Sequence, residues 1–156
     1  MIDFSNLLNS DRVFESFTSE SRQSVLRKLS EVLADAVGID SRVILEAVIE
    51  RERLGSTAVG HGVCIPHVRL PGLDEPIGAF ARLAAPVDFD AIDERHCDLV
   101  FMLLAPEREG SAHLRALAQI SRALRQADLR EALRSAKAQD DMATLLGVKV
   151  QHGQAA

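Results

Sequence analysis

Leu99-Val100-Phe101-Met102-Leu103-Leu104 is a run of six apolar residues with no polar break, set within residues 98–105. Neighbouring side chains of a β-strand point to opposite faces, so a strand of this composition needs apolar cover on both sides. The run is therefore read as the central strand of a sheet. The rest of the chain has to supply a helical layer for each face.

Helical spacing occurs on both sides of the run. Upstream, residues 18–21 hold several N-cap candidates, and Val25, Leu29, Val32, Leu33 and Ala36 then recur on one face until Gly38. Asp40-Ser41 opens a second helix with Ile44, Ala47 and Val48 on one face, running to about Leu54 before Gly55. Downstream of the charged loop 106–110, Leu114, Leu117, Ala118 and Leu124 share a helical face from Ser111 onward. Leu129/Leu133 and Met142/Leu145/Leu146 mark two shorter helices. Other strand-like pieces are Val13-Phe14-Glu15-Ser16-Phe17, residues 63–65 and residues 77–83. The expected fold is α/β: a mixed sheet of five strands or fewer with helices on both faces, in the order strand, two helices, three strands, three helices. Residues 1–150 read as one domain that opens with a loosely structured lead-in over 1–11, and 151–156 as a polar tail.

Bulk properties narrow the function. A 47% hydrophobic fraction over 156 residues supports a core without a disulfide or metal staple. With 18 basic against 23 acidic residues and no basic run, nucleic acid is not an expected partner. No stretch approaches the ~20 apolar residues of a membrane span, and the N-terminus lacks a secretory pattern. Cys64 and Cys97 fit a reduced, cytoplasmic protein.

The chemistry concentrates in Gly60-His61-Gly62-Val63-Cys64-Ile65-Pro66-His67-Val68-Arg69. Pro66 cannot continue a ladder, so His67 is expected where a strand gives way to a loop, a common seat for a reactive side chain. Gly60 and Gly62 leave backbone room for a close approach. Imidazole, with an unperturbed pKa near ~6.5, is largely neutral and nucleophilic at cellular pH. His61, Cys64 and His67 also spell H-x-x-C-x-x-H, a candidate zinc set. Strand alternation would send 61 and 64 to opposite faces, and a zinc knuckle wants a turn where this chain has an apolar strand. Cys64 reads as a small apolar filler. His96 with Cys97 reads as a strand-edge pair, and His152, in the tail, as inert.

Three stretches carry a resemblance: ERERLGSTAVGHGVCIPHVR, PVDFDAIDERHCDLVFMLLAP and SAHLRALAQISRAL. Together, over roughly residues 5–147, they resemble the enzyme IIA domain of the fructose/mannitol-type phosphotransferase system, and within it the stand-alone nitrogen-regulatory branch. The resemblance implies that His67 accepts a phosphoryl group from a small HPr-like phosphocarrier protein, itself phosphorylated on histidine. It also implies His113 as the second active-site histidine and Arg53 as the active-site arginine. Physical chemistry suits these roles: phosphoryl transfer needs positioning and positive charge, a guanidinium matches phosphate oxygens, and His113 falls in the first turn of a helix. Ser56 and Thr57 are either hydrogen-bond donors to the phosphoryl group or turn residues. The scheme requires no metal or cofactor. The implied output is regulatory, with sensor kinases and potassium-transport systems as examples of targets among relatives. A sugar-transport IIA that passes phosphate to a separate IIB is the alternative within the family. A phosphate-free interaction module is the alternative outside it.

Overall fold

The apolar run becomes β6 (Cys97–Pro106). In the computed structural model, which describes residues 2–108 and 110–150, its side chains divide between two cores. Leu99, Phe101 and Leu103 face one cluster, and Val100, Met102 and Leu104 face the other. The first is covered by α3 (Ala112–Leu124), α4 (Ala127–Ser135) and α5 (Gln139–Leu145). The second is covered by α1 (Arg22–Val37) and α2 (Ser41–Arg53). Both faces are buried, as the unbroken hydrophobicity requires.

The remaining strands are β1 (Val13–Phe17), β2 (Ala58–Gly60), β3 (Val63–Cys64), β4 (His67–Leu70) and β5 (Ile77–Val87). They form one mixed sheet in the order β1-β5-β6-β3-β2, with β4 also paired to β6. β5 runs antiparallel to β6, whereas β3 and β4 run parallel to it. The sheet thus has six strands where five or fewer were expected, because two short ones escape any sequence pattern. β2 has three residues, too few to display alternation. β4 follows Pro66 directly, where the strand was expected to stop for good.

It does not stop, and the reason is visible in the ladder. Pro66 has no N–H to give, but its carbonyl still accepts from Leu103 N–H at 2.8 Å. Register is therefore kept across the proline: Val63 opposes Leu99 and Cys64 opposes Val100 before it, and His67 opposes Leu103 after it. His67 heads a strand instead of a loop.

The N-terminal lead-in also differs from expectation. Phe4, Leu7 and Leu8 are buried, Phe4 N–H bonds the Leu146 carbonyl at 2.9 Å, and the Phe4 ring lies 5.3 Å from that of Phe101. Three apolar residues within five positions could not stay in water at so little cost, and they close the α5 side of the core. The expected polar tail and His152 lie outside the described residues.

Candidate functional site

His67 and His113 meet in one cavity of about 270 Å³, whose walls also include Arg51, Arg69 and Leu114. Three elements bring them there. β4 presents His67 at its first residue, α3 begins just beyond the end of β6 and carries His113 in its first turn, and α2 packs against β4 with its C-terminal turn. The His67 ring is half-buried, and its Nδ1 lies 2.7 Å from the Ile65 carbonyl oxygen. A carbonyl can only accept, so Nδ1 carries the proton and Nε2 carries the lone pair. This contact fixes the tautomer.

Burial lowers the His67 pKa from its ordinary 6.5, and the positive charges of Arg51 and His113 push the same way. The Ile65 carbonyl and the Glu52 carboxylate oppose the shift without reversing it. Protonated imidazole has no lone pair for attack, so the competent form is the neutral one and it persists to lower pH than in a free histidine. Titration of the ring by NMR is expected to give a midpoint below 6.5, with the nucleophilic neutral form dominant at neutral pH and lost as pH falls through that midpoint. A midpoint at or above 6.5 would contradict the buried seat assigned here.

Of the two arginines in the last turn of α2, Arg51 belongs to this cavity, and Arg53, the one expected from the sequence, does not. Arg51 lines the cavity, and its guanidinium donates to the Gly55 carbonyl at 3.0 Å, steadied against its own helix end. Arg53 is exposed, pairs with Glu50 and lines a separate surface depression with Arg22, Gln23 and Leu26. The helix period explains the difference and supplies the signal that sequence reading missed. Ile44 and Val48 mark the buried stripe of α2. Arg51 follows Val48 by three residues and flanks that stripe, whereas Arg53 follows by five and turns away. Under the phosphoryl-acceptor role that the resemblance implies for His67, Arg51→Ala is expected to slow transfer by about 10²–10³-fold, the usual scale for one lost charge-stabilising donor. Arg53→Ala should leave the rate within about twofold, and quench-flow transfer kinetics on both variants check the assignment.

Ser56 and Thr57 are not brought to His67 either. The Ser56 hydroxyl donates to the Phe89 carbonyl at 2.5 Å and accepts from Ala58 N–H at 3.0 Å. Thr57 is buried, with its hydroxyl on the Glu52 carboxylate and 3.2 Å from Cys64 Sγ. These are turn and packing contacts.

The zinc set does not converge. Cys64 is fully buried in the α1/α2 core, while His67 opposes Leu103, whose side chain belongs to the other core. His61 is exposed in a turn at φ 58°, its N–H on Asp93 and its carbonyl accepting from Arg134 at 2.6 Å. Among the described residues no group of three or more His, Cys, Asp or Glu side chains is placed to hold a metal ion. Nor is Gly62 kept open for a ligand. Its left-handed φ of 78° and its approach to Arg134 Nη2, 2.6 Å from where a Cβ would sit, serve the Arg134–Asp98 ion pair. His96 is exposed beside the first residue of β6.

The family described as "Phosphoenolpyruvate-dependent sugar phosphotransferase system, EIIA 2" matches residues 6–147. The chain belongs to this EIIA family. EIIA relatives similar to it include a nitrogen regulatory protein of Bradyrhizobium diazoefficiens, 42% identical over 85% of this chain and 86% of that one. Another, from Pseudomonas aeruginosa, is 40% identical over 99% of this chain and 100% of its own. Among solved EIIA structures, the nitrogen regulatory protein IIA-Ntr of Neisseria meningitidis superposes with a TM-score of 0.86 at 30% identity, covering 91% and 97% of the two chains. The mixed sheet with helices on both faces is thus the EIIA fold. As in the expectation from sequence, the nitrogen-regulatory branch is the nearer kin. No helix among the described residues is long and apolar enough to cross a membrane.

Proposed function

We propose that this protein is a phosphocarrier of the nitrogen-related phosphotransferase system, taking a phosphoryl group on Nε2 of His67. The observation that carries the reading is the bond from His67 Nδ1–H to the Ile65 carbonyl, inside a cavity shared with Arg51 and His113. It leaves one nitrogen with its lone pair, with a guanidinium and a second imidazole lining the same cavity.

The donor is a phosphohistidine protein of the HPr type. Its phosphorus–nitrogen bond breaks as the bond to Nε2 forms, and the donor imidazole departs. Arg51 stabilises the charge spread over the phosphoryl oxygens, and His113, with the free N–H groups at the start of α3, adds positive potential on the other side. Because Nδ1 keeps its proton, the phosphorylated ring is an imidazolium and leaves as neutral imidazole in the next transfer. Retention of that proton keeps the group transferable.

The output is regulatory. A phosphohistidine adds about two negative charges by analogy with other phosphorylated side chains, which changes the potential of the face that carries the cavity and hence which target docks there. Sensor-kinase and potassium-transport components are the proposed target classes, and the cytoplasm the proposed location. Incubation of the protein with a phosphorylated HPr-like donor, followed by intact-mass measurement, is expected to show one acid-labile phosphoryl group per chain, mapped to His67 by peptide sequencing under alkaline conditions. No mass gain with a donor shown to be competent towards another EIIA would favour a phosphate-free binding module.

A further inference from the structure

We propose that Glu52, neutralised by Arg22, is a positioning residue that sets how tightly His67 holds its phosphoryl group. The proposal rests on the phosphocarrier reading and concerns the poise of that same site.

Glu52 is the only buried carboxylate among the described residues. Both of its oxygens are engaged. Oε1 accepts from Arg22 Nη2 at 2.5 Å, and Oε2 accepts from the Thr57 hydroxyl. From Thr57 the contacts lead to the reacting ring. The Thr57 carbonyl accepts Ile65 N–H at 3.0 Å, and the Ile65 carbonyl accepts Nδ1–H of His67 at 2.7 Å. A carboxylate on the last turn of α2, next in sequence to Arg51, is thereby tied to the proton that fixes the tautomer of the acceptor. Arg22, from the first turn of α1, lies with its guanidinium 5.7 Å from the centre of the Phe89 ring.

A buried negative charge here opposes an incoming dianion, which makes it an unexpected choice for a phosphate site. It suits a carrier, whose phosphoryl group must remain ready to leave. Phosphorylation takes the neutral ring to an imidazolium bearing a doubly negative phosphoryl group, about one unit more negative in all, so the carboxylate raises the energy of the phosphorylated state while Arg22 limits the penalty. The negative charge of Glu52 is felt at the unphosphorylated ring, where it favours the protonated form. A merely structural Arg22–Glu52 pair would affect stability and leave the transfer equilibrium alone.

The two roles separate in a reversible exchange with phosphoramidate. Nε2 attacks phosphorus, the phosphorus–nitrogen bond of the reagent breaks, and ammonia leaves; added ammonia reverses the step. Occupancy of His67 at fixed phosphoramidate and ammonia is read by ³¹P NMR and intact mass, with circular dichroism confirming the fold of each variant. Glu52→Gln is expected to raise the equilibrium constant about tenfold, and Arg22→Gln to lower it by a similar factor. The double variant should return to within about twofold of wild type, as should Arg22→Lys, which keeps the charge. Should Arg22→Gln not fold, Glu52→Gln and the double variant still decide. A phosphorylated wild type with Glu52→Gln unmoved, or with both single variants shifted in the same direction, overturns this proposal alone. A folded wild type that takes no phosphoryl group overturns the phosphocarrier reading and this proposal with it.

Discussion

His67→Ala is expected to abolish phosphoryl uptake, lowering the rate by at least about 10³-fold with the fold intact. The side chain is half-buried at a strand head and donates to a main-chain carbonyl, so its removal takes away the nucleophile and little of the core. His113 shares the cavity and is the natural candidate for a substitute acceptor. Among the described residues it has no equivalent of the Ile65 carbonyl contact that leaves one His67 nitrogen with its lone pair. Intact-mass kinetics on His67→Ala and the double variant His67→Ala/His113→Ala check this. Uptake by the single variant at a rate near wild type would move the acceptor to His113 and undo the mechanism.

Phe101→Ala is expected to destabilise the protein by about 3–5 kcal/mol, a large share of the ~5–15 kcal/mol typical of a domain. Phe101 is fully buried in β6, with Phe4 at 5.3 Å and Phe80 at 6.2 Å between ring centres. Glycine at position 78 makes room for it, since a Cβ there would fall 2.5 Å from Phe101 Cε1. Truncation would leave a void that the two flanking layers cannot both collapse into. Urea unfolding gives the comparison, with Leu54→Ala as a reference: Leu54 is 85% exposed, and its loss should stay within about 0.5 kcal/mol.

The architecture was legible because its main signals are long. Ten residues of β6 and sixteen of α1 each display an unambiguous period or its absence. The short strands β2 and β4 were not, since three or four residues cannot show alternation and a proline conceals the continuity of a ladder that depends on its carbonyl. Burial of Phe4 was hidden for another reason: its partners, Phe101 and Leu146, lie about a hundred residues or more away in sequence. At the site, His67 stood out by its place after Pro66 and His113 was named only through the family resemblance; the structure brings the two into one cavity. Choosing between Arg51 and Arg53 required counting from Val48 round the helix. The placement of Ser56 and Thr57 hung on Phe89 and Glu52, contacts that no local pattern announces.

The unbroken register across Pro66 has a consequence for how this region can vary. Residues 63–70 behave as a ruler laid against the central strand, so removing or adding one residue there would swing the imidazole to the opposite layer. Conservative substitutions other than at His67 can be absorbed along this stretch, but changes in its length cannot. Insertions compatible with activity should be confined to surface connections such as the one joining α1 to α2, where Gly38 and Asp40 are exposed.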